Sequence, residues 1–177
     1  MQVGGTGTLA GFYSTDFRAI ERLGQLIRQV GGRAGRGDRP GRVQIQTRFA
    51  DHPLLQTLIR DGYAEFGRQI LSEREQSALP PYAFQALIRA EAASAGDAAG
   101  FLEGLLPGTP SPSVELLGPI PAIMEKRAGR FRQMLIATSQ TRGQLHQALA
   151  EVIDRAEKSR LASRVRWSVD VDPIDLY

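Results

Sequence analysis

Leu79-Pro80-Pro81-Tyr82-Ala83-Phe84-Gln85-Ala86-Leu87-Ile88-Arg89 divides the chain into two styles of sequence. Before it, apolar residues recur at helical spacing; the tandem prolines cannot continue a helix, and Tyr82 to Arg89 then reads as a strand. Downstream, Ser94 to Leu106 predicts a helix and Pro107 to Ser113 a proline-punctuated loop. Val114 to Leu117 predicts a second strand, Phe131 to Thr138 a third, Thr141 to Ala156 a helix and Val165 to Val171 a last strand. The order βαββαβ places two helices over one face of a four-stranded antiparallel sheet, an α+β sandwich of split βαβ type.

Upstream, Asp16 is a good helix N-cap. Phe17, Ile20, Leu23, Ile27 and Val30 continue at helical spacing until the glycines of Gln29-Val30-Gly31-Gly32-Arg33-Ala34-Gly35-Arg36. Gln29, Arg33 and Arg36 fall at i, i+4 and i+7 and share one helix face. The glycines let another surface approach that face. Guanidinium stays charged and binds phosphate oxygens bidentately, so this is a candidate phosphate fork; the alternative is a glycine-broken helix end whose arginines complement the helix dipole. Asp38-Arg39-Pro40-Gly41 signals a turn, and Val43-Gln44-Ile45-Gln46-Thr47 alternates as a strand does. Asp51-His52-Pro53 opens a helix with Leu54, Leu55, Leu58 and Ile59, and Tyr63 to Ala78 forms another with Phe66, Ile70 and Leu71. The division expected is an irregular leader over 1–15, a first folded segment over 16–78 and an α+β domain over 79–177.

Composition narrows the function classes. The 177 residues contain no cysteine and two histidines, so thiolate metal sites and disulfides are excluded, and His52 and His146 cannot make a zinc site alone. No window spans a bilayer, and the Gly/Thr-rich start lacks a signal-peptide pattern, so a cytoplasmic protein with no membrane partner is expected. Net charge is +3, unevenly spread: residues 1 to 48 carry eight arginines against three acids, and the remainder 14 basic against 16 acidic residues. Lys126-Arg127-Ala128-Gly129-Arg130-Phe131-Arg132 gathers four cations and a ring around one glycine between two predicted strands. Such a tip can grip phosphates while the ring stacks on a base; it can equally be a solvated basic turn. Pro119-Ile120-Pro121 is expected to stiffen the approach to it. Asp170, Asp172 and Asp175 are not read as a metal or acid-base site: alternation puts Asp170 and Asp172 on the outer face of an edge strand, where charges discourage aggregation, and Trp167 is read as a core or sheet-face aromatic.

The pattern Gln29, Gly32, Arg33, Gly35, Arg36 resembles the last conserved motif of superfamily-2 helicases, in which both arginines face ATP held between two RecA-like lobes. Asp16 to Leu23, Gly41 to Thr47, Leu79 to Tyr82, Leu117 to Ala122 and Val169 to Pro173 resemble the PriA family of replication-restart helicases, also called primosomal protein N′, from about Phe12 onward. The resemblance implies that 16–78 is the C-terminal remnant of the second, RecA-like helicase lobe and 79–177 the family's C-terminal domain. It implies ATP hydrolysis, 3′ to 5′ movement on DNA, recognition of stalled or abandoned forks and initiation of primosome assembly. Catalysis would fall to Arg33 and Arg36, ATP contact to Gln29, Arg33 and Arg36, and DNA contact to Lys126, Arg127, Arg130, Phe131 and Arg132. Arg142 and His146 would meet the acidic tail of single-stranded DNA-binding protein; a surface arginine without a partner is the other reading of Arg142. The parent would also use Mg²⁺ and carry zinc on cysteines that this chain lacks. With no Walker phosphate loop and no Asp-Glu-x-His box, the chain alone is expected to be inactive. The alternative is a stand-alone DNA- or protein-binding module.

Overall fold

The computed structural model describes residues 18–34, 43–109 and 111–175. It divides between Glu73 and Arg74 into two compact units.

The first unit is helical among its described residues. Helix α1 spans Ala19–Ala34, α2 Pro53–Arg60 and α3 Gly62–Gln76, which runs past the division. Leu54, Leu58, Phe66 and Ile70 form a buried cluster with Ile20, Ile27 and Tyr63 against it, one apolar stripe from each helix. Gly24 faces the Phe66 ring, where a Cβ would overlap it. Thr57 donates to Gln69 Oε1 at 3.0 Å, and the Arg28 guanidinium lies 5.0 Å from the Tyr63 ring centroid. One expectation fails here. Val43 to Thr47 form no strand: the described part of this unit offers no neighbouring strand, and alternation makes a strand only when a ladder partner pairs its backbone. Ile59 and Leu71, read among the apolar residues of these helices, are exposed, since the described residues cover only one side of α2 and α3.

The second unit is α+β. Strand β1 spans Phe84–Ala92, helix α4 Ala95–Glu103, β2 Val114–Arg127, β3 Arg130–Ser139, α5 Arg142–Lys158 and β4 Arg166–Val171. The strands form one antiparallel sheet in the order β2-β3-β1-β4. Alternation decides what each face holds. Ala86, Ile88, Ala90 and Ala92 of β1, with Leu135 and Ala137 of β3, join Ala98, Phe101 and Leu102 of α4 and Leu145, Leu149 and Val152 of α5 in the main core. Both helices therefore cover one face. Leu87, Met134, Ile120 and Ile136 cluster on the other. The helices start where their caps stand: Ser94 accepts from Asp97 N, and Thr141 from Gln144 N. Arg155 donates to Leu105 O at 2.9 Å, tying α5 to the turn after α4. Trp167 packs against this core with its ring centroid 6.2 Å from that of Phe101, a sheet-face aromatic as read from the sequence.

Strand β2 is far longer than the expected Val114 to Leu117. Prolines 119 and 121 lie within it because β2 is an edge strand, where a missing N–H can face away from the ladder, and two register shifts absorb the mismatch with β3. Asp172 lies past the end of β4, with φ 55°, so it is not on the outer face of that strand. No helix among the described residues is long and apolar enough to cross a membrane.

Candidate nucleic-acid interface

The β2–β3 hairpin closes through a two-residue turn. Ala128 (φ 48°) and Gly129 (φ 77°) both take positive φ, the signature of a primed turn whose twist matches the strands it joins. Arg127 and Arg130 pair across this turn, and Lys126 pairs with Phe131. The sequence placed four cations here; the register sorts them into two kinds.

Lys126 and Arg127 are exposed at the tip. Lys126 Nζ lies 4.6 Å from the Phe131 ring centroid, so ammonium and ring present themselves together. Arg130 and Arg132 turn back onto the sheet. Arg132 Nε donates to Glu91 Oε1 at 2.9 Å with its side chain only 10% exposed, and Arg130 Nη2 donates to Glu91 O at 2.9 Å. Glu91 thus anchors the base of the hairpin to β1. Sequence reasoning missed Glu91, although a lone carboxylate in the apolar run of β1 is the kind of residue that must find a cation. The arrangement offers a two-cation grip at the tip, with an aromatic beside it, on a base where Glu91 holds Arg132 through its carboxylate and Arg130 through its main-chain oxygen.

Arg142 has partners. Its Nη1 lies 3.0 Å from Asp172 Oδ2 and its Cζ 4.8 Å from the Phe84 ring centroid, which corrects the reading of a partnerless surface arginine. His146 is exposed one turn further along α5. Asp170 accepts from Arg89 Nη1 at 3.0 Å, and Arg89 Nη2 also donates to Asp175 O at 3.3 Å, so the aspartates near the C-terminus serve ion pairs and a backbone contact. Among the described residues no group of three acids or histidines could hold a metal ion.

In the first unit, Gln29 and Arg33 are both exposed, one turn apart on α1 and away from the stripe that meets Phe66. Arg36 lies outside the described residues. The helix continues through Gly31 and Gly32 to Ala34, so the glycines do not end it at Val30.

Residues 75–174 match the family of the primosomal protein N C-terminal domain. Over 167 residues the chain is 44% identical to the replication restart protein PriA of Haemophilus influenzae, covering 93% of this chain and 23% of that relative. It is 35% identical over 170 residues to the replication restart protein PriA of a Synechocystis species, covering 91% and 19%. With that of Bacillus subtilis it shares 29% over 161 residues, covering 89% and 20%. The chain therefore spans less than a quarter of the length of each of these three relatives.

Proposed function

This chain belongs to the family of the primosomal protein N C-terminal domain, as found in replication restart proteins, and on that premise we propose that it is the C-terminal part of a PriA-like, ATP-dependent 3′ to 5′ DNA helicase. The parent recognises stalled or abandoned forks and initiates primosome assembly. In it, the second unit grips DNA and the first is the end of the second RecA-like lobe.

One observation carries the DNA reading: the exposed Lys126–Arg127 tip with Phe131 beneath it, on a base that Glu91 ties down by an ion pair to Arg132 and a main-chain hydrogen bond from Arg130. Exposed cations release counterions when they meet phosphate, and a ring beside them gives a base a surface to stack on. Arg130 and Arg132 hold the tip in place. In the motor, α1 presents Gln29 and Arg33 together, and with Arg36 they meet the phosphates of ATP bound with Mg²⁺; guanidinium there neutralises the charge that develops on the transferred phosphoryl group. The tail of single-stranded DNA-binding protein would meet Arg142 and His146, exchanging Asp172 for another carboxylate. The second reading, a stand-alone binding module, keeps the hairpin and leaves α1 idle.

Two measurements separate these. The chain should bind forked DNA at low salt and release it as salt rises; no binding at low salt overturns the DNA reading. In a longer protein that carries the Walker-type lobe, Arg33→Ala or Arg36→Ala should lower ATP turnover by ~10³ or more if either is a finger. Unchanged turnover in both variants leaves α1 idle and favours the module.

A further inference from the structure

The cations of the second unit differ in what they hold. Arg89, Arg132, Arg142, Arg155 and Lys158 face carboxylates. Arg74, Arg130 and Arg155 donate to main-chain carbonyls, and Lys126 lies over Phe131. The remaining four, Arg127, Arg160, Arg164 and Arg166, are exposed, and their side chains make no hydrogen bond or ion pair among the described residues.

These four come from distant parts of the sequence but belong to one end of the sheet. Glu91, near the end of β1, pairs with Arg132 on β3 and with Arg166 on β4, so one cross-strand row runs Arg132, Glu91, Arg166. The hairpin tip with Arg127 lies just beyond Arg132 on one side. On the other, the connection from α5 carries Arg160 and Arg164 into the first residue of β4. Glu91 is already held by Arg132 and Asp154 by Lys158, and the other carboxylates on the segments at this end are Glu125, Asp97 and Glu157. Towards the opposite end the character reverses: Glu115 and Asp172 lie there with Arg142 engaged by Asp172, while Asp170, opposite Leu87 in mid-sheet, engages Arg89.

We propose that this sheet end is a two-cornered track for one strand of a DNA sugar–phosphate backbone, with Lys126 and Arg127 at the β2–β3 corner and Arg160, Arg164 and Arg166 at the α5–β4 corner. It rests on the reading of the hairpin as a DNA contact and extends that contact across the sheet. From β2 to β4 are three strand intervals, about 14 Å, a span that a few nucleotides of one strand cover. A single strand can therefore bridge the corners while the acidic end repels it. Phosphate suits unengaged guanidinium, which can bind its oxygens bidentately without first giving up a protein carboxylate.

The test uses the full chain, a fluorescent twelve-nucleotide oligo-dT and anisotropy over a salt series. Lys126→Gln/Arg127→Gln removes the near corner and Arg164→Gln/Arg166→Gln the far one; Arg60→Gln/Arg68→Gln is a control of equal charge in the first unit. Each corner pair should lower the slope of log affinity against log salt by about 1.4, at ~0.7 per cation on a single strand, and the two together by about 2.8. The control should leave the slope unchanged. If the far pair behaves as the control while the near pair lowers the slope, the track is refuted and the hairpin reading stands. If the near pair has no effect, both fail. A twelve-residue polyglutamate that displaces the DNA at equal concentration would overturn the assignment to phosphate.

Discussion

Gly118 shows how far one residue constrains the unit that carries the hairpin. Its φ is +124°, and a Cβ there would stand 2.7 Å from Met134 O, so both the backbone and the neighbouring strand exclude a side chain. Gly118→Ala should cost about 2 kcal/mol, lowering the thermal midpoint by roughly 5 °C; an unchanged melting curve would contradict the register of β2 on β3. Glu91 is the second such residue. Removing it leaves the Arg132 guanidinium, 10% exposed, without its carboxylate. Glu91→Ala should destabilise by about 2 kcal/mol, less than a fully enclosed pair because Glu91 is itself 34% exposed. Arg132→Met, which keeps the stem volume and removes the charge, should cost less in chemical denaturation; equal losses would mean the pair is not what holds the hairpin base. At this scale the sequence was half legible. A run of cations around a glycine announced a basic tip, but which of them look outward depends on pairing register, and Glu91 sits 39 residues from Arg130.

The elements of the second unit were readable because their signals are local: Ser94 and Thr141 as caps, alternation in β1, the apolar run Met134 to Ala137 in β3, and i, i+4, i+7 spacing at Leu145, Leu149 and Val152. Strand β2 was not, since prolines within it argue against a strand unless its position at the edge is known. Val43 to Thr47 failed for the opposite reason, having the pattern without a partner. The hairpin turn carries its own prediction. Ala128 takes φ 48°, a region that costs an L-residue about 1–2 kcal/mol and that Asn tolerates better. Ala128→Asn should raise stability by about 0.5 kcal/mol and leave DNA affinity unchanged; a destabilised variant would show that the turn is not of the primed type.

In the whole molecule, function follows from where charge is left over. The first unit shows an exposed Gln29–Arg33 face on α1, and the second satisfies most of its cations internally and leaves exposed ones at one end of its sheet. The sequence conveyed the family through short motifs, and the helical run and the sheet through periodicity. It did not convey the sorting of engaged from unengaged arginines, which depends on long-range pairs such as Arg89 with Asp170 and Arg142 with Asp172. The hairpin tip is proposed to hold DNA through exposed charge. The direct measurement is the affinity of the chain for forked DNA across a salt series, compared with that of Lys126→Gln/Arg127→Gln. Tight binding at low salt is expected, with a log–log slope made shallower by about 1.5 to 2 in the variant. A wild-type chain that does not bind at low salt, or a variant with the wild-type slope, would contradict it.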